Sequence, residues 1–417
     1  MTWRRGVLVV GVVATVVLSG GGAAAAAPGD GSTTRVSVSS RGAQADGDNY
    51  WPVISAGGRF VVFGSYAQNL VLEGRGGLLV RDRLTGTTTL AAQVPVPADA
   101  AITPDGRFVA VVADPGYLYV RDRWTGAWTE EHSAADGPDP GVVLAPKLSA
   151  DGRMLIFAST SPTTVPGDTN RAMDVFAKDR RTGTVTRVNV SSAGEQAAGW
   201  SGDPALSPDG RFVAFTSSAA NLVPGDTNDT PGDPYDGQDV FVRDLRTGTT
   251  SLASIAPDGT QADGSGSMYP AISANGRYVA FQAQSPPPGP GPRQEEDLFV
   301  RDRRAGTTEA ITSGDGASWE PEISADGRYV AYHSEASNLV PGDTDTNGTS
   351  DIFFHDRRAG TTRRLSVGVS GRQTDGGSLY ASMTADGSAV AFMSGATNLV
   401  RRDTNEKADI FIRTTGR

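Results

Sequence analysis

The 417-residue chain contains no cysteine, which excludes disulfides and thiolate metal centres. It has three histidines, His132, His333 and His355, scattered through the repeats described below, a poor basis for a His-rich metal triad. Lysine is nearly absent. Lys147, Lys178 and Lys407 are the only three, and the formal net charge is -10. Phosphate binding needs a basic footprint, so nucleic acid is not expected as a partner. Long apolar runs are missing too, apart from Val7 to Leu18, which follows Arg4 and Arg5 and precedes small residues up to Ala27. That run is short for a membrane span and predicts a secretory signal peptide over residues 1–27, cleaved near Ala26 or Ala27. The mature chain, 28–417, is expected to be secreted, extracellular and without membrane insertion.

What is abundant is turn chemistry. With 52 Gly, 25 Pro and 38% hydrophobic residues, the chain is too apolar for disorder and too turn-rich for a helical bundle. Many short strands fit best.

A repeat organises those strands. EPEISADGRYVAY starts at Glu320, and six segments match it: WPVISAGGRFVVF from Trp51, AAITPDGRFVAV from Ala100, APKLSADGRMLIF from Ala145, DPALSPDGRFVAF from Asp203, YPAISANGRYVAF from Tyr269 and YASMTADGSAVAF from Tyr380. The turn glycines fall at 58, 106, 152, 210, 276, 327 and 387, a spacing of roughly 55 residues that suits the longer propeller repeats. Each unit reads as a strand, an Asp-Gly type turn and a second strand rich in β-formers. A third strand follows, such as DVFVRD from Asp239 or DIFFHD from Asp351, then a Thr-rich fourth such as TVTRVNV from Thr184. Four antiparallel strands make one blade. The seventh unit stops after its third strand, and STTRVSVSS from Ser32 resembles the fourth strand TTRRLSV at Thr361. The expected fold is therefore all-β, a seven-bladed β-propeller closed by an N-terminal strand completing the last blade.

The Ser-(Ala/Pro)-Asp-Gly-Arg turn and the Asp-(Ile/Val)-Phe third strand resemble the TolB-like, WD-like propeller repeat, without the α/β domain that TolB carries ahead of its propeller. The resemblance covers about residues 32 to 417 and implies the fold; the fold itself hosts binding proteins, peptidase gating domains and lyases. Some such lyases use a His-rich metal centre, which three scattered histidines do not match.

Two sets of residues are candidates for function. The loop Asp343-Thr-Asp345-Thr-Asn347-Gly-Thr349-Ser-Asp351 places oxygen side chains at alternating positions and suits Ca²⁺. Shorter relatives are Asp168 and Asn170 with Asp174, and Asp403 and Asn405 with Asp409; a longer insert follows Asp226. The competing reading is that these residues form turns and that the closing Asp caps its strand, since Asp297 stands there without the motif. The second set is aromatic: Trp51, Trp200, Tyr269, Trp319 and Tyr380 fall near inter-blade loops that also carry Gln44, Gln196, Gln261 and Gln373. Rings and amides around a mouth suit a glycan or peptide, although rings also pack between blades. The recurring Asp of the third-strand ends (Asp82, Asp122, Asp179, Asp244, Asp302, Asp356) is expected to accept turn amides or pair an Arg. No catalytic residue is assigned. The sequence points to a monomeric binding or scaffolding propeller that engages a protein or glycan through its loop-rich face; the alternative is an extracellular carbohydrate-active enzyme with carboxylates at the propeller mouth.

Overall fold

A computed structural model describes residues 31–416 apart from 73, 95–98, 114–115, 135–140, 227–236, 262–265, 285–295, 343–344 and 370. The predicted signal peptide, Asp343 and most of the insert after Asp226 lie outside the described residues. The described residues form seven antiparallel sheets of four strands, with no helix among them. Blade 1 runs Asn49–Ile54, Phe60–Ser65, Gly77–Asp82 and Thr87–Ala92. The first strands of blades 2 to 7 are Ala100–Ile102, Val143–Leu148, Ser201–Leu206, Ser267–Ile272, Ser318–Ile323 and Ser378–Met383. Thr33–Arg35 pairs with Asp409–Thr414 in the register Thr33↔Arg413 to Arg35↔Phe411, so the N-terminal strand completes blade 7 as the sequence predicts. No helix among the described residues is long and apolar enough to cross a membrane.

Position within the blade decides how each strand reads. Second strands lie between neighbouring blades and are apolar on both faces: Phe60–Ser65 and Phe212–Ser217 are buried throughout. Outer fourth strands such as Thr184–Arg187 stay partly exposed and Thr-rich. An aromatic pair crosses the second and third strands of blades 3 to 7, as in Phe215↔Phe241 and Phe392↔Phe411, with ring centroids 5.8 and 6.0 Å apart. Truncating one such ring to alanine costs about 3–5 kcal/mol.

The repeated turn joins one blade to the next. In blade 6, Ser324 Oγ donates to Asp326 Oδ1 and accepts from the Tyr329 amide, while Asp326 accepts from the Arg328 amide. Gly327 has φ 75°, and a Cβ there would overlap the Tyr278 ring of blade 5. Arg328 reaches Asp356 at 2.7 Å, and Asp356 also accepts the amides of Arg358 and Ala359. Arg357 donates to the Gly327 carbonyl and lies 4.7 Å from the Tyr278 ring centroid. Phe60, Phe108 and Phe212 are likewise held between two arginines, one from their own turn and one from the next blade. The Arg–Asp pair recurs in blades 1 to 6. Both roles expected of the recurring Asp are filled at once.

Candidate functional site

The first strand of six blades carries a bulge. In blade 6, Trp319 pairs with His333 and Glu322 with Ala331, so Glu320 and Pro321 together face one partner residue. The first bulged residue is left-handed in every case: Trp51, Ala145, Asp203, Tyr269, Glu320 and Tyr380 have φ between 47° and 58°. Proline follows five of the six, and it suits a bulge because no ladder bond needs its missing N–H. Side chains other than glycine in this conformation cost about 1–3 kcal/mol each and tend to gather where a site is being shaped. Blade 2 has no bulge; its equivalent residue is Asp99, whose Oδ2 accepts the Ala145 amide at 2.9 Å.

These residues line one cavity of about 460 Å³ on the propeller axis, together with Lys147, Glu322 and Ser382. Its wall has two characters. Trp51 and Tyr380 (6.2 Å between centroids) line the cavity with Tyr269, 40% exposed at the mouth, and the arc of rings continues behind the wall to His333 (6.1 Å) and Trp319 (5.5 Å). Carboxylates come from Asp99, Asp203, Glu320 and Glu322, against the single ammonium of Lys147. Burial, with Glu322 and Asp203 nearby, pushes Glu320 up to about 7, while Lys147 pulls it back. Burial likewise raises Glu322 and Asp203. A side pocket of about 300 Å³ shares Tyr269, Glu320 and Tyr380 with the cavity and adds Trp319, His333, Glu335 and Leu379. His333 is 6% exposed, burial holds it neutral with its pKa lowered to about 4, and its Nδ1 has no hydrogen-bond partner.

Of the aromatic candidates, Trp51, Tyr269 and Tyr380 meet in the axial cavity and Trp319 in the side pocket. Trp200 joins neither; its ring covers Gly202 within blade 4. The four glutamines are not part of the mouth. Gln196 Nε2 donates to Asp168 and Asp174, Gln261 to Asp226 and Asp239, and Gln373 to Asp345 and Asp351, while Gln44 donates to the Arg402 carbonyl. Sequence reasoning placed carboxylates at the mouth in its enzyme alternative without assigning Asp99, Asp203, Glu320 or Glu322 to it. Part of their signal was present, because the position that Glu320 occupies varies among the seven units and is acidic in three of them: Trp51, Asp99, Ala145, Asp203, Tyr269, Glu320 and Tyr380.

The Asp–Asn loops gather carboxylates as their spacing suggests, and the cation among them is a guanidinium. Arg35 bridges Asp403 at 2.7 Å and Asp409 at 3.2 Å; Arg187 reaches Asp174 at 2.9 Å and Asp168 at 3.6 Å; Arg364 reaches Asp351 at 3.2 Å. Asn170 and Asn405 aim amide donors at Asp174 and Asp409, and Asn347 donates to the Thr374 carbonyl. Thr349 donates its amide to Asn347. The closing Asp is tied to a hydroxyl or amide next to the fourth strand in five blades, including Asp297, which accepts from Thr312. Among the described residues, no three His, Asp or Glu side chains come together to hold a metal ion.

No protein-family model and no curated protein sequence matches the chain. Among solved structures it is similar to an oligogalacturonate lyase in complex with manganese, at 15% identity, TM-score 0.58 and 92% coverage of both chains. It is similar also to the β-propeller domain of the Trilobed protease from Pyrococcus furiosus, at 11% identity and TM-score 0.57, covering 88% of this chain and 93% of that one. TolB from Acinetobacter baumannii matches at 13% identity and TM-score 0.41, over 88% of this chain and 79% of that one. At such identities the first two likenesses establish the β-propeller fold alone, and the third adds no argument.

Proposed function

We propose that this is a secreted, monomeric binding propeller that engages a protein or glycan segment at its axial mouth. The observation that carries the reading is the ring of six left-handed residues lining the cavity, where a repetitive chain places, with Asp99, five different residue types at one structural position. Rings suit stacking and carboxylates suit hydrogen-bond donors, a combination that fixes a ligand's orientation in a concave site. Titrating the mature protein with glycans and peptides while following tryptophan emission tests it. A ligand whose signal and binding are both lost in Trp51→Phe with Tyr380→Ala supports the mouth. Ligands that bind these variants unchanged would place the site elsewhere.

One observation favours a second reading, a carbohydrate-active enzyme: Glu320 and Asp203 line the same cavity, where burial and the neighbouring carboxylates push Glu320 up to about 7, toward the protonated form that a general acid uses. Release of reducing ends from a polysaccharide, abolished by Glu320→Gln, would establish it. His132, His333 and His355 stand on different strands and gather no shared donor set among the described residues, so this second reading rests on the carboxylates. At the Asp–Asn loops Ca²⁺ would compete with the guanidiniums of Arg35, Arg187 and Arg364 for the same carboxylates.

A further inference from the structure

The lining of the axial cavity narrows what it can hold. Four carboxylates face it and one ammonium answers them, within a chain whose net charge is -10. An anionic ligand would meet both the local charge and the long-range field of the same sign. A bare metal ion finds no set of three His, Asp or Glu donors among the described residues. A neutral ligand would leave Glu320, Glu322 and Asp203 to meet their burial by staying protonated, the direction in which burial already pushes them, whereas a cation would hold them charged. What remains is a cation able to lie against rings. Trp51, Tyr269 and Tyr380 supply the π faces for it. The side pocket adds an independent sign of a missing ligand. His333 is buried in its wall with Nδ1 unpartnered, between Trp319 and Tyr380, and Glu320 connects that pocket to the main cavity.

We propose that the axial mouth recognises an organic cation, an amine or guanidinium, with Asp203, Glu320 and Glu322 as its counter-ions and the Trp51–Tyr380 arc covering its apolar part. This rests on the mouth being the binding site. Two sources share the chemistry, a free polyamine and the basic side chains of a polypeptide.

The test is tryptophan emission of the full mature chain titrated with spermidine, trilysine, maltotriose and triglutamate. Spermidine or trilysine is expected to bind, and maltotriose and triglutamate not to. Spermidine stronger than trilysine identifies the free polyamine; the reverse identifies a basic segment. Glu320→Gln should weaken binding about tenfold or more, the scale of a hydrogen bond to a charged group. Lys147→Gln, at an exposed position, should strengthen it several-fold, a gain that loss of folding cannot imitate. Maltotriose or triglutamate binding as well as the cations, and lost in Trp51→Phe with Tyr380→Ala, would overturn the cation while leaving the mouth. Cations that bind with no response to either charge variant would overturn it equally. Absence of a response to both cations overturns it as well.

Discussion

A methyl group added at Gly327 meets the Tyr278 ring of the neighbouring blade, on backbone that is left-handed at φ 75°. Two separate penalties act at this one residue: the conformation, which L side chains adopt poorly, and the overlap. Gly327→Ala should therefore destabilise the protein by about 1–3 kcal/mol. Adding Tyr278→Ala removes only the overlap. The double variant should lose less than the sum of the singles, and strict additivity in urea unfolding would show that the ring is not the obstacle. Charge at the same turn makes a second prediction. The paired arginines lower Asp82, Asp122, Asp179 and Asp302 from an ordinary 3.8 to about 2, and Asp356 is lowered as well. A folded pKa below the unfolded one contributes stability above the unfolded value and loses it as pH falls toward the folded one. The melting temperature should thus fall between pH 4 and pH 2, with a shallower fall in Asp356→Asn. An unchanged slope in that variant would remove the pair from the account.

The loop and fourth strand act as one element in blades 3, 6 and 7. Register aligns Arg187, Arg364 and Arg35 opposite Phe176, Phe353 and Phe411, and each arginine meets the aspartates of its own blade's loop. In blade 4 the same register holds Leu252, and in blade 5 Ala310. Removing one partner of such a buried pair leaves a carboxylate uncompensated, at a cost of about 3–5 kcal/mol. Arg364→Met should accordingly lower the melting temperature, and millimolar Ca²⁺ should restore part of the loss while leaving the wild type unshifted. A wild-type rise would instead mean that Ca²⁺ displaces the guanidinium. No recovery in the variant would mean that the loop accepts no divalent ion. Carboxylate clustering was legible from the Asp-x-Asn spacing, because spacing dictates which side chains share a loop. The identity of the counter-ion was not legible there, because Arg364 reaches Asp351 only through strand pairing, and Arg35 reaches Asp409 across nearly the whole chain. A joint reading would have narrowed it: arginine occupies this fourth-strand position in three of the four blades whose sequence has Asp-Thr-Asn in this loop, the exception being blade 4, with Asp226 and Asn228 in sequence and Leu252 at the strand position.

Ring closure belongs to the whole molecule. Seven turn motifs and a missing last strand were enough to predict it, since an open blade would leave an unpaired edge. Which residues supply the axial carboxylates escaped the same reading for a geometric reason. Asp203, Glu320 and Glu322 are far apart or unremarkable along the chain and become neighbours only when bulged first strands point toward one axis. Closure is also what holds that axis together. Blade 1 packs its first strand on blade 7, and blade 7 owes its outer strand to Thr33–Arg35, with Ser37 bonded to Asp409 and Arg35 to Asp403. Deleting residues 28–40 removes the edge cover, both polar anchors and the buried Val36. The shortened chain should melt at lower temperature and run as oligomers on size exclusion, as the bare edge of Asp409–Thr414 pairs with another copy. Supplying a peptide of residues 31–40 should return it to the monomer, because the strand needs only register and those anchors to dock. A deleted chain that stays monomeric with unchanged melting would show that the propeller closes without its N-terminal strand.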